Sequence, residues 1–292
     1  MKESFLLCSK EIFDIFFNYV KSKYSFKDLG NGFIIRKVGR IKRLHYAIDD
    51  LVDWWDLEIS KDEIEKMLKR EIYYKAVFKN ILEFSRIKQI LDSSETKPKV
   101  VEFSKVYYIN LLELDSPEKI LRSLSYKWRR NIKNSINRLK KLNYEFSKME
   151  SFKPYFNLLV NFITSRHIET TWIDSLYQRA MFNVFENFEN LGILDTFVLK
   201  ANNDIIAINL VINYNKKAFW WASGFKEDFY YFSPNKMSVW FMLLYYIEKN
   251  YHEFNFMKGE SEYKTIWTKD FYKLYRYEFE HPNLIKKFFS LL

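Results

Sequence analysis

The chain carries 47 Lys+Arg against 37 Asp+Glu over 292 residues, a formal net charge of +10, with 48% apolar residues including 28 Phe, 21 Tyr and 8 Trp. That length allows one large domain or two of about 150 residues, and the apolar content, with only 6 Gly and 5 Pro, excludes a disordered or low-complexity chain. A lone Cys8 excludes an internal disulfide framework and fits a reducing compartment, and the scattered His45, His167, His252 and His281 lack zinc-site spacing, so no metal is expected.

The first residues, Met1 to Cys8, have the outline of a lipoprotein signal, but their apolar stretch is too short and Lys10 and Glu11 follow at once. The reading is a soluble, cytoplasmic chain. Residues 10–20 and 61–71 have helical patterns, and 32–38, 100–104 and 106–111 have strand patterns, with a polar loop over 92–98. Helical and strand segments occur here in proportions similar to those of the C-terminal half, which suggests a diverged N-terminal half over residues 1–115.

Residues 117–141 hold most of the excess charge. Lys119, Arg122, Lys127, Arg129, Arg130, Lys133, Arg138, Lys140 and Lys141 stand against Glu118, giving +8 in 25 residues and leaving +2 for the other 267. The spacing predicts one amphipathic helix, capped by Ser116, opened by Pro117 and striped by Ile120, Leu124, Trp128, Ile132, Ile136 and Leu139. Such a helix (116–142 as a linking segment) packs by one side and offers cations on the other, which suits phosphate or RNA. The aromatic load also invites base stacking, but abundant Phe, Tyr, Lys, Ile and Asn with little Ala equally fit an AT-rich genome.

Beyond it, residues 143–149 alternate as a strand, 152–166 and 173–191 repeat as helices, and 193–199, 205–214 and 218–223 read as a three-strand meander with Asn-rich turns. A loop over 224–233 precedes a helix over 234–250. Its apolar run Val239 to Ile247 spans nine residues, far short of the roughly 20 a membrane span needs. A short strand at 254–257, a loop or short helix over 259–269 and a strand over 274–280 complete the chain.

Two local signatures sit on this order. Ser123-Leu-Ser125-Tyr-Lys127-Trp-Arg129-Arg130-Asn131-Ile-Lys133 precedes the strand–helix–helix unit, and Phe254-Asn255-Phe256-Met257-Lys258-Gly259-Glu260-Ser261-Glu262-Tyr263-Lys264-Thr265-Ile266-Trp267 lies near the end. Together they resemble the GCN5-related N-acetyltransferase (GNAT)-like acyltransferases grouped with bacterial cellulose biosynthesis, relatives of the Fem-type aminoacyl transferases. The resemblance runs from about residue 105 to 281, and upstream only Asp49 to Trp54 is reminiscent. Asn255 stands where that family carries Asp. The resemblance implies an α/β (α+β) fold, a GNAT-like mixed sheet flanked by helices in two tandem halves, with the acyltransferase domain over 143–292.

It also implies chemistry: transfer of an acyl group from acyl-CoA, as co-substrate with no tightly bound cofactor, to an amine of a small molecule, sugar or cell-envelope precursor. The helix start at Phe232 to Ser238 takes the place of the donor-phosphate loop without its glycines, leaving Ser233, Asn235, Lys236 and Ser238 as donors, with Arg129 and Arg130 from the basic helix. Lys264 is a candidate for steadying an oxyanion or holding donor phosphate, and Glu260, Glu262 and His167 are candidate bases. Arg166, Trp221, Tyr230, Tyr263 and Trp267 are candidate substrate contacts, with Trp220 beside them. No nucleophile elbow appears and Cys8 is remote, so the expected mechanism is direct attack. Two alternatives stay open: an aminoacyl-tRNA-dependent transferase, and a catalytically silent GNAT-like binding module.

Overall fold

The computed structural model describes residues 9–38, 41–48, 51–53, 59–70, 73–166 and 170–281. Two compact units divide the chain, Met1–Val106 with Tyr272–Leu292, and Tyr107–Phe271. The basic segment 116–142 lies within the second unit, and most of the last strand belongs to the first. Of the Asp49–Trp54 stretch, residues 49, 50 and 54 lie outside the described residues.

In the first unit the order is α1 (Lys10–Lys23), β1 (Phe26–Asp28), β2 (Phe33–Val38), β3 (Ile41–Tyr46), α2 (Lys61–Arg70), β4 (Lys75–Leu82), α3 (Arg86–Asp92) and the start of β5 (Lys99–Asn110), with β11 (Phe271–Glu280) returning at the end. Strands run in the order β1-β2-β3-β4-β11, with β3 and β4 parallel. Helix α1 buries Ile12, Phe16, Phe17 and Val20, and Phe13 meets Tyr46 of β3 at 5.8 Å. The two strands expected over 100–111 are one continuous strand, because nothing in Ser104-Lys105 turns the backbone.

The second unit continues with α4 (Pro117–Ser123), α5 (Tyr126–Lys140), β6 (Tyr144–Met149), α6 (Phe156–Thr164), α7 (Ser175–Asn190), β7 (Leu194–Ala201), β8 (Asp204–Tyr214), β9 (Lys217–Phe225), α8 (Pro234–Glu248), β10 (Glu253–Lys258) and α9 (Glu262–Trp267). The expected single basic helix is therefore two. Ser123 Oγ donates to the Ile120 carbonyl at 2.8 Å, and Leu124 turns extended and buried. Ser125, also extended, then opens α5. Gly224 belongs to β9 and not to the following loop, and that loop contains a 3₁₀ turn over Glu227–Phe232.

Strands β6 to β9 form an antiparallel meander, and β10 joins β9 in parallel. The hairpin turns are set by Asn202 and Asn203, and by Asn215 and Lys216, all with positive φ, the left-handed geometry that two-residue hairpins require. Helices α6 and α7 pack on one face of the meander, and α5 and α8 cover the other. A Cβ at Gly224 would lie 2.8 Å from Phe162 Cβ and 3.2 Å from the Leu159 carbonyl oxygen, so glycine lets α6 lie directly on β9. The opposite face holds a continuous core including Phe197, Trp220, Trp240, Tyr246 and Phe254.

Strand β10 is fixed by its own polar side chains. Buried Asn255 donates from Nδ2 to Glu253 Oε1 at 2.9 Å and accepts the Met257 amide at 2.9 Å. The second Glu253 oxygen pairs with Lys217 at 3.0 Å. An Asp at 255 would still accept that amide, but its other oxygen would face the Glu253 carboxylate with no proton to offer. The family's acid is thus incompatible with the glutamate two residues earlier. Asn255→Asp should lower unfolding free energy by about 2–3 kcal/mol, the cost of a buried polar group left unpaired or facing a like charge. The double change with Glu253→Gln should recover part of that loss in urea titration. Additive losses would refute the pairing.

Candidate functional site

The site is built where two neighbouring strands part. The β9–β10 ladder joins Lys217–Phe219 to Glu253–Asn255, at the start of both strands, while β9 goes on to Phe225 and β10 to Lys258. Trp220 stands at the point of separation. Its Nε1 donates to Asn209 Oδ1 of β8 at 3.0 Å, and its ring meets Phe256 at 6.0 Å and Tyr263 at 5.9 Å, both edge-on. Trp221, the next residue, faces the other side of the sheet, against Phe185 (6.2 Å) and Phe188 (5.7 Å) of α7.

The far end of β10 bends sharply. Met257 has φ +60° and Gly259 φ +110°; for a non-glycine residue this costs about 1–3 kcal/mol and persists only where neighbours enforce it. The Asn255 side chain and Lys264 do so. Lys264 is buried, and its Nζ donates to the carbonyls of Met257 (3.0 Å) and Lys258 (2.7 Å). Trp267, one turn along α9, is also buried, whereas Tyr263, Glu260 and Glu262 are exposed. On its other side α9 walls a cavity of about 440 Å³, with Glu262, Thr265 and Trp267 facing Trp128, Ser125 and the end of β5. The break between α4 and α5 forms one lip of that cavity.

At the end of β9 the chain enters the 3₁₀ turn and then α8. Ser233, the residue before the helix, has φ +55°, and no side chain caps the helix start. The first amides of α8 therefore keep their hydrogen-bonding capacity at the positive end of a 15-residue dipole. Lys236 lies over this end, with Nζ donating to Asn131 Oδ1 of α5 and to Ser233 Oγ at 3.3 Å, and sitting 5.6 Å from the Trp128 ring centre. Burial, and secondarily the Arg138 charge, hold the Lys236 ammonium below the ordinary lysine range. Arg138 donates to the Tyr231 carbonyl at 2.9 Å and covers the Tyr231 ring at 4.5 Å. Asn235 Oδ1, Ser238 Oγ and Arg129 Nε are buried atoms with no hydrogen-bond partner. Arg130 is exposed.

A third group gathers at the end of α6. The Arg166 guanidinium lies 3.8 Å from the Phe225 ring centre, and Tyr230 meets Phe225 at 6.3 Å. Burial pulls the Arg166 pKa down, partly offset by Glu227 and Tyr230. His167 lies outside the described residues. The structure thus brings Ser233, Asn235 and Lys236 together with Asn131, Trp128 and Arg138, and brings Tyr263, Lys264 and Trp267 together around β10. Asn131 closes the Ser125-x-Lys127-x-Arg129-Arg130-Asn131 signature, whereas Arg138 lies outside it. Their seven-residue spacing places them on one face of α5, which is the signal that could have found them. Among the described residues no cluster of three or more His, Cys, Asp or Glu is placed to hold a metal, and no helix is long and apolar enough to cross a membrane.

Residues 127–265 match the family model of the acetyltransferase (GNAT) domain. That stretch includes nearly all of α5, the meander, the open helix start, the parting strands and the first residues of α9, up to Thr265. No curated protein matches the sequence. Among solved structures, FemX is similar at 11% identity with a TM-score of 0.56, covering 94% of this chain and 98% of that one. The C-terminal domain of a putative lysylphosphatidylglycerol synthetase from Agrobacterium fabrum is similar at 14% identity and TM-score 0.56, with 91% of each chain covered. L-PGS from Bacillus licheniformis is similar at 10% identity and TM-score 0.51, over 91% of this chain and 87% of that one. At these identities the likeness is one of fold. Over residues 127–265 the chain is similar to acetyltransferase domains of the GNAT type, which supports an acyltransferase.

Proposed function

We propose that the second unit moves an acyl group from an acyl-CoA to an amine by direct attack, as in the GNAT-like acyltransferases of the cellulose-biosynthesis type. The observation that carries this reading is the uncapped start of α8 with Lys236 and Arg138 beside it. Free helix-start amides and two cations suit a diphosphate, and the gap between β9 and β10 suits the thin arm that links diphosphate to thioester. Ser233, Asn235 and Ser238 supply polar atoms around the same turn. The amine lone pair attacks the thioester carbonyl, the tetrahedral adduct collapses with loss of the CoA thiolate, and the amine proton passes to Glu262 or Glu260 directly or through water. Glu262 is exposed and walls the cavity beside α9, which suits an acceptor arriving from that side. Arg166 and Tyr230 are contacts for the acceptor or for an anionic part of the donor. An amine of a sugar or a cell-envelope precursor fits this scheme.

A specific observation favours a second reading. Helix α5 exposes Lys127, Arg130, Lys133 and Lys140 with no acid among residues 126–140, and FemX shares the fold. An aminoacyl-tRNA donor would use the same open helix start for its terminal phosphates.

Isothermal titration with acetyl-, butyryl- and longer acyl-CoAs should show saturable binding, and Lys236→Met should weaken it about tenfold, or about 1.4 kcal/mol. No binding to any acyl-CoA would sink the first reading. Should tRNA bind instead, its affinity should fall steeply with salt, and Arg129→Ala with Arg130→Ala should lower retention; unchanged retention would remove the second. No turnover with any donor would favour a silent binding module.

The pH dependence follows from Lys236. Its lowered pKa means that the free protein loses this charge before an ordinary lysine would as pH rises. Phosphate binding favours the charged form, so affinity for acyl-CoA should decline through that alkaline window. Lys236→Met should abolish the decline, and an identical slope in both proteins would argue against Lys236 at the phosphate.

A further inference from the structure

The parting of β9 and β10 requires something that stops the strands from zipping further. In a strand, successive carbonyls point to opposite sides, one to each neighbour. At the end of β10 this alternation fails, because the carbonyls of Met257 and Lys258 both accept from one nitrogen, Lys264 Nζ, at 3.0 and 2.7 Å. Only the left-handed backbone at Met257 permits it. The Asn255 side chain holds the Met257 amide from the other direction at 2.9 Å. These groups are therefore withdrawn from any ladder with the second half of β9.

We infer that Lys264 is a positioning residue, which latches the end of β10 away from β9 and so keeps the donor cleft open. The inference rests on the acyltransfer reading for its consequence, though not for its geometry. Burial and the two carbonyls tie the ammonium to the backbone at the end of β10. Gly259 fits the same device. Its φ of +110° suits glycine, and the position where a Cβ would stand is in ordinary contact distance, 3.8 Å, of Lys264 Nζ, so the turn lies directly against the latch.

The test compares Lys264→Met, which removes the ammonium and its bonds to both carbonyls, with Lys264→Gln, whose uncharged amide has two N–H groups to offer the same carbonyls. Hydrogen exchange in the intact chain, without any substrate, reads the latch itself. Amides over 257–259 should exchange at least tenfold faster in Lys264→Met and at an intermediate rate in Lys264→Gln. In turnover, Lys264→Gln should raise the KM for acyl-CoA and keep more kcat than Lys264→Met, with the wild-type pH profile of kcat/KM. Unchanged exchange in both variants would overturn the latch whether or not acyl-CoA proves to be the donor. So would a Lys264→Gln enzyme as inactive as Lys264→Met with wild-type exchange, since that pattern belongs to a lysine acting through its charge. If Lys264→Met fails to fold, exchange and the KM–kcat split of Lys264→Gln still decide the matter. Failure of the acyl-CoA titrations with accelerated exchange would leave the latch standing and remove only the donor.

Discussion

The short ladder between β9 and β10 is the constraint on which the rest of the site depends. The two strands share three paired positions and then diverge, so the sheet gives up hydrogen bonds to make an opening. That opening is tolerated because each strand end has found other partners. Trp220 is anchored to Asn209, and the β10 carbonyls are taken up by Lys264. Buried backbone groups seldom go unpaired, and here a lysine ammonium does what a neighbouring strand would otherwise do.

Charge is organised around the same opening. The basic excess lies on two short helices, and only some of it faces the site. Asn131 and Arg138 reach Lys236 and the turn before α8, while Arg130, Lys133 and Lys140 are exposed to solvent. A single straight helix over 117–141 would not place Ser123, Ser125 and Trp128 around the cavity beside α9. The bend at Leu124 does, so local chain chemistry at two serines decides how a charged segment is divided between site and surface.

Much of the second unit was legible because its signals are strong. The meander shows period two and Asn-rich turns with positive φ, α7 shows a long apolar stripe, and α8 carries a continuous apolar run from Val239 to Ile247. The Pro234 helix start was legible for the same reason, since proline suits a first helical position. The first unit was harder to read. β1 spans three residues, and in β3 the adjacent Lys42 and Arg43 break any period-two pattern. β4 hides its alternation under two lysines and an Asn80 with φ +58°. At the site the motif ending Tyr263-Lys264-x-x-Trp267 drew attention to Lys264, but its job depends on where two carbonyls point, which sequence does not encode. The pairing of Asn255 with Glu253 was equally invisible, although both residues lie two apart in one strand.

In the proposed complex the open start of α8 holds the diphosphate of the donor while the latched end of β10 leaves room for its acyl arm. Chemical-shift mapping or a crystal structure of the acyl-CoA complex tests it most directly. Donor phosphate at the Asn235 and Lys236 amides, with the thioester between β9 and β10, is the expected result. Acyl-CoA bound elsewhere, with those amides unperturbed, would contradict it.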